Sequence, residues 1–414
     1  MNQKIQQSIE SSSNYETLFS LLQSVNEDNL AEITKQAKEM LSDETYTLKD
    51  ELPPTAADLS ERSLAGRYLW DDGVRSTGLN DTTQKQGVIL DTLDKIQTQH
   101  AEVFKTLKYW QESLKAKSEE TLLGNLAKET FVLYVPKFAV VSKEMLLDIV
   151  LSEARRNAFM RFWIYLEAGA QAVFTINLRS RSAEDENFYT GCLQVYVGDG
   201  AHLILNEVQD FHQRVYVTAT KSITTGKVSN LQWNICELGS TKLQNYSRLD
   251  LKGEGANALV YGLYFANQNQ NISLRTEQNH LAPNTTSNLY YKGAVKDSAF
   301  ASWQGMIYVD PIAKRTDGYQ KNENLMISPD ARIFSKPGLE IVTDDVKCSH
   351  GTTVTDFDAD QIFYLMSRGM SENEAKLLIL QGYFDAILNN ITYDPIREKL
   401  QEKIYFKMKP LGFN

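Results

Sequence analysis

The chain has 414 residues, 42% of them apolar and 23% charged, with a formal net charge of -10. This is ordinary globular usage, long enough for two or three domains and a sizeable core. The acidic balance argues against a nucleic-acid backbone or an anionic lipid surface as the main partner, and no apolar run reaches the roughly 18 residues that span a bilayer.

Residues 1–130 read as helical. In "NLAEITKQAKEML", Leu30, Ile33, Ala37 and Leu41 recur at three- and four-residue steps, an amphipathic stripe. "QGVILDTLDKIQTQHAEVFKTLKYWQESL" repeats the pattern through Leu90, Leu93, Ile96, Val103, Leu107 and Trp110. Between them "DELPPTAADLSERSLAGRYLWDDGVRSTGLND", with Pro53-Pro54 and several glycines, reads as a loop or irregular cover.

From about residue 131 the period shortens. "ETFVLYVPKFAVV" opens a run of short, β-branched and aromatic segments that continues to about 355, with one helical interruption predicted at "SKEMLLDIVLSEARRNAFMRFWIYLE". Gly198-Asp199-Gly200-Ala201 is echoed by Gly253-Glu254-Gly255-Ala256, each leading into an apolar run. Asparagine-rich corners such as "NQNQN" and "APNTTSN" suit a β-solenoid, because asparagine tolerates the left-handed backbone of tight corners; a sandwich is the alternative.

The helical period returns at 358. "DADQIFYLMSRG" is a short helix stopped by Gly369. Ser371 and Glu374 form a predicted capping box for the next helix, which carries Ala375, Leu378, Ile379, Gly382, Tyr383 and Ala386 on one side. Asp394 is the expected N-cap, and Pro395 the first residue, of a last helix.

The start of the chain has no apolar signal-peptide core, so a cytoplasmic location is expected. Cys192, Cys236 and Cys348 are too few and too scattered for a disulfide framework or a CxxC metal motif. Cys192 and Cys236 lie in apolar runs and read as buried core residues. Cys348-x-His350 admits three readings: a nucleophile with its base, two metal ligands, or packed core neighbours. On a strand the two would share a face, and sulfur with imidazole suits iron or zinc, but two ligands do not close a site. A Cys/His hydrolase would also need an oxyanion hole and an orienting third residue, which no local motif supplies. His280 has Glu277 nearby and reads as a solvated corner. The helix pair after residue 358 looks like a helix-turn-helix, yet its second helix carries only Lys376 and Gln381 where bases would be read, so protein docking fits better. Phosphate-loop and dinucleotide fingerprints are absent.

"KPGLEI", "KCSHG" and "QIFYLMSRG" stand in that order within residues 276–384, and "YVPKFAVV" precedes them. On these motifs the chain resembles the SufB/SufD family of iron–sulfur cluster assembly proteins over roughly residues 130–390. Within that family it is similar to SufD-type sequences. SufB-type sequences have a cysteine where this chain has Asn322 and a glutamate where it has His350. The resemblance implies a right-handed parallel β-helix over 131–356, between an N-terminal helical domain (1–130) and a C-terminal helical domain (357–414). It implies a SufB-like partner through the β-helices and a SufC-like ATPase docked on the C-terminal helices. Phe363, Tyr364, Arg368, Glu374, Leu378 and Tyr383 are the docking candidates, with Phe363, Tyr364, Leu378 and Tyr383 serving either as anchors or as internal packing. His350 would be an iron ligand at the SufB interface, with Cys348 a second ligand or a packed neighbour. The chain itself would be a non-catalytic scaffold subunit that helps acquire iron for a transient, shared iron–sulfur cluster, while SufC hydrolyses ATP. Reduced flavin is linked to the family complex, though this chain has no flavin motif. The alternatives are a SufB-like homodimer holding a cluster itself, or a carbohydrate-active β-helix protein. The N-terminal region would at least cap the first coil.

Overall fold

The computed structural model describes residues 16–40, 64–71, 74–114, 116–151, 157–180 and 187–409. From Glu129–Val135 to Val346–Thr355 the strands alternate between two sheets, and each pairs in parallel with the strand two places further along the chain. The result is a parallel β-solenoid of about seven turns, with helices at both ends of the chain. Its lumen is filled by a continuous apolar core running from Phe131, Phe162 and Leu193 through Trp233, Val260 and Leu289 to Trp303.

The predicted helix over "SKEMLLDIVLSEARRNAFMRFWIYLE" is not there: Val140–Leu151 and Asn157–Leu166 are strands. From Glu144 to Leu151 and over most of Asn157–Leu166 both faces are buried, one by the lumen and one by covering helices, so the sequence shows a continuous apolar run instead of alternation. The irregular cover is likewise corrected in part. Gly66–Asp71 and Val74–Leu79 form a hairpin that pairs in parallel with Val140–Leu151. Ile89–Thr92, Leu90 included, is a short strand antiparallel to Glu129–Val135. These strands occupy the first edge of both sheets, the capping role expected of the N-terminal region. The Pro53-Pro54 pair and Leu41 lie outside the described residues.

The corners explain how the coils stack. Phe138, Gly169, Gly200, Val228, Gly255, Asn284 and Arg315 all have positive φ, and the N–H of each bonds to a carbonyl at or near the equivalent corner of the next coil. The Gly198/Gly253 echo therefore marks two equivalent corners, with Gly200 at φ 64° and Gly255 at φ 71°. Val228 (φ 52°) is the misfit, since a β-branched residue in this region is strained by roughly 1–2 kcal/mol. It is 65% exposed, so little packing compensates. Val228→Gly is expected to raise stability by about 0.5–1 kcal/mol after the extra freedom of an unfolded glycine is deducted. A higher thermal midpoint would bear this out; a lower one would show that Val228 packing outweighs the strain.

Helices cover the outer faces. Leu30–Met40 and Ser118–Leu126 bury Ile33, Ala37, Leu122 and Leu123 against Phe159, Phe188 and Cys192 on the nine-stranded sheet. Leu93–Gln99 and Ala101–Ser113 pack Ile96, Leu107 and Trp110 on Val132 and Trp163. On the ten-stranded sheet, Glu372–Leu388 and Asp394–Met408 bury Leu380, Phe384, Ile387, Leu400 and Ile404 against Cys236, Leu263 and Phe265. Cys192 and Cys236 are thus inert packing residues, and burial pushes both thiol pKa values up.

The Ser371/Glu374 capping box is present, and Gly369 has φ 96°. The last helix begins one residue earlier than expected, with Tyr393 at the N-cap and Asp394 as first residue. It is pinned to the solenoid by Lys403–Asp210 (2.9 Å) and by Lys407 Nζ, which donates to Asn267 Oδ1 (2.6 Å) and Gln270 Oε1 (2.7 Å). No helix among the described residues is long and apolar enough to cross a membrane.

Candidate functional site

Among the described residues, nothing covers the far end of the solenoid. Arg332–Ile341 and Val346–Thr355 are the terminal strands of the two sheets, each with a partner on one edge only. Their residues are mostly exposed, Phe334, Ile341 and Val354 among them. An exposed strand edge with apolar side chains is a pairing surface.

Register places the Cys348-x-His350 pair on this last coil. Leu231, Ala258, Ser287, Gly318 and Cys348 form one column across five strands. Trp233, Val260, Leu289, Gln320 and His350 form the adjacent column. The earlier members of both columns are lumen core. Cys348 and His350 therefore stand on the inward face of the final coil, at the mouth of the lumen. Cys348 is half-buried against Ile307 and Val309, while His350 is exposed, with no further coil over it among the described residues. Burial raises the Cys348 pKa, with Asp317 adding to the effect and the Gly318 backbone opposing it.

Beneath this pair the lumen turns polar. His280 is wholly buried, contrary to the expected solvated corner. It lies on the inward face of Asn271–His280, in alternation with Ile272, Leu274, Thr276 and Gln278, all buried. Its Nδ1 is 2.7 Å from Thr285 Oγ1 and its Nε2 is 2.8 Å from Ser287 Oγ. Burial pushes its pKa down to about 4, so the ring is neutral at physiological pH. A Cβ added at Gly318 would lie 3.2 Å from Cys348 Sγ and 3.3 Å from His280 Nε2, so glycine here lets the thiol and the imidazole approach. Asn322 is also buried, its Oδ1 accepting from Ser335 Oγ and Asn324 Nδ2 at 2.7 Å each. No three histidine, cysteine, aspartate or glutamate side chains converge on a metal-sized point among the described residues.

Sequence reasoning also missed a charged group deeper in the lumen. Lys221 lies 3.0 Å from Glu207 and 3.1 Å from Glu237, all three buried. They come from strands of both sheets, so no local spacing announces them. Burial opposes the Lys221 charge, yet the two carboxylates outweigh it and raise its pKa.

The predicted docking residues separate into two groups. Phe363 (74% exposed), Tyr364 (57%) and Leu378 (47%) face outward on the helices Ala359–Ser367 and Glu372–Leu388. The Arg368 guanidinium lies 5.3 Å from the Tyr364 ring centroid. Glu374 is occupied in the capping box, where it accepts from Ser371 N at 2.7 Å. Tyr383 turns inward, its hydroxyl donating to Glu323 O (2.7 Å) and its ring lying under Lys292.

Residues 149–383 match the family model described as SUF system FeS cluster assembly, SufBD core domain. An iron–sulfur cluster assembly SufBD family protein of Mycobacterium leprae is 30% identical over 238 residues, 56% of this chain and 59% of that protein. One of Mycobacterium tuberculosis is 28% identical over 260 residues, 61% of this chain and 64% of its own length. One of Staphylococcus saprophyticus is 24% identical over 328 residues, 79% and 70% of the two chains. The match thus spans about three-fifths of the mycobacterial relatives. With a core-domain match over more than half of its length, on a solenoid whose lumen ends in a cysteine and a histidine, the chain belongs to the SufBD family of the SUF iron–sulfur cluster assembly system.

Proposed function

We propose that this chain is a SufD-like, non-catalytic subunit of an iron–sulfur cluster assembly complex, and that its terminal coil presents His350 and Cys348 as iron ligands to a SufB-like partner. The observation that carries this reading is the placement of the pair on the inward face of an uncovered last coil. A thiol and an imidazole suit iron, and the free strand edge gives a second solenoid a place to pair and to complete the ligand set. Asn322, where SufB-type sequences carry cysteine, favours the SufD-like reading. A SufB-like homodimer holding its own cluster is the alternative. In the proposed assembly the helices at 359–388 dock a SufC-like ATPase that supplies ATP hydrolysis, and the complex works in the cytoplasm. Reduced flavin would come to the complex without a site of its own on this chain.

The test is iron and acid-labile sulfide in the complex co-expressed with its SufB-like and SufC-like partners, with size exclusion to show that it is intact. His350→Ala is expected to lower both at least fivefold while the subunits stay associated. Normal filling of the variant would reduce the role of this chain to architecture. An intrinsic cluster in the chain purified alone would favour the homodimer.

A further inference from the structure

We propose that the end of the last helix, Asp394–Met408, is a proton-operated clasp: Lys407 docks it on the solenoid as a neutral amine, and uptake of a proton loosens it. Two buried lysines in this chain show the contrast. Lys221 has carboxylates of Glu207 and Glu237 at 3.0 and 3.1 Å, which hold it as a cation. Lys407 is also buried, but its Nζ donates to two neutral amide oxygens, Asn267 Oδ1 and Gln270 Oε1. Gln270 Nε2 donates to Ser240 O at 2.6 Å, which turns Oε1 toward the amine.

The carboxylates of the neighbourhood are engaged by other lysines. Asp210 pairs with Lys403, one turn before Lys407, at 2.9 Å, and Asp297 pairs with Lys296 at 3.7 Å. Lys296 Nζ also donates to the carbonyls of Lys407 and Lys409 at 3.3 Å each, so it already answers the negative pole of the helix end. A buried ammonium among amide oxygens costs free energy that a neutral amine does not. Burial, followed by the Lys403 charge, pushes the Lys407 pKa down to about 7; Lys296 adds to the effect, and Asp210 and Asp297 oppose it. The docked amine therefore loses its proton as pH rises through 7, whereas an undocked one keeps it to the ordinary lysine range, so docking is favoured on the alkaline side. Opening of the helix end is expected to grow about fiftyfold from pH 9 to pH 7, about fivefold of it between pH 8 and 7, and to level off below. Leu400 and Ile404 of this helix cluster with Leu380 and Phe384 of Glu372–Leu388, so the loosening reaches the helix that displays Leu378. Two other groups differ in sign or range. Glu144 accepts from Thr392 Oγ1 at 3.0 Å just before this helix, and burial raises its pKa, so release there would grow as pH rises. Burial and the charges of Arg214 and Lys403 lower the His212 pKa from the ordinary histidine value, so it titrates below this window.

Hydrogen exchange of the full chain between pH 6 and 9 tests the clasp, read by mass spectrometry on peptides within Asp394–Met408 and corrected for the intrinsic rate at each pH. The wild type is expected to exchange faster there at pH 7 than at pH 9 by the factor given, with no further rise at pH 6. Lys407→Met and Asn267→Asp should both flatten the dependence, the first by removing the amine, the second by placing a carboxylate beside it so that it stays charged throughout. His212→Gln should keep the wild-type slope. The clasp falls if the wild type exchanges equally at pH 9 and pH 7, or if exchange slows toward pH 7, the sign belonging to Glu144. A wild-type slope in Asn267→Asp also overturns it, a result that decides the matter even where Lys407→Met fails to fold.

Discussion

Replacing Lys221 with methionine is expected to destabilise the solenoid by about 3–5 kcal/mol, the cost of leaving buried carboxylates without their counter-charge. Glu207 and Glu237 would then face each other's charge inside the lumen with only neutral donors, Trp233 Nε1 and Asn245 Nδ2, to hold them. Burial already raises the Glu237 pKa, with the Lys221 charge acting in the opposite direction, so removing Lys221 raises it further. The deficit should shrink as pH falls, because an orphaned carboxylate that takes up a proton no longer bears a buried charge. The measurement is the urea midpoint of wild type, Lys221→Met and Lys221→Met/Glu237→Gln. The double variant is expected to recover at least half of the loss. A single variant as stable as wild type would mean that water already reaches the group and solvates its charges.

The second large effect concerns the outward face of the C-terminal helices. If the proposed dock is right, Phe363→Ala/Tyr364→Ala is expected to weaken capture of a SufC-like ATPase a hundredfold or more, since exposed aromatic anchors at a docking surface each contribute on the order of 2 kcal/mol. Both side chains are largely exposed in the chain alone, so the variant should fold and melt like wild type. Tyr383→Phe is the contrasting variant. It breaks the hydroxyl bonds to Glu323 O and Gly293 O and should lower the thermal midpoint without changing capture. Undiminished capture by the Phe363/Tyr364 variant, measured by surface-immobilised ATPase, would remove this face from the docking surface.

Much of the fold was legible because solenoid corners and helix ends are local devices. Gly200, Gly255 and Asn284 occupy left-handed corners that few other residues tolerate, and their recurrence betrays the coil. The capping box of Ser371 and Glu374 needs only four residues to form. Where both faces of a strand are covered, as in Val140–Leu151, alternation disappears and periodicity alone misreads strand as helix.

The site divides along the same line. Cys348 and His350 lie two apart, so their shared face follows from the pleat of a strand, and that much the sequence alone determined. Alternation through Ile272, Leu274 and Gln278 also held a signal that His280 points inward. Only the tertiary structure decided what meets what. The meeting of His280 with Cys348 around Gly318, and of Lys221 with Glu207 and Glu237, depends on the register between strands of opposite sheets. The openness of the last coil likewise depends on the lack, among the described residues, of a strand beyond Val346–Thr355 in its sheet, a property of stacking that no short stretch of residues encodes.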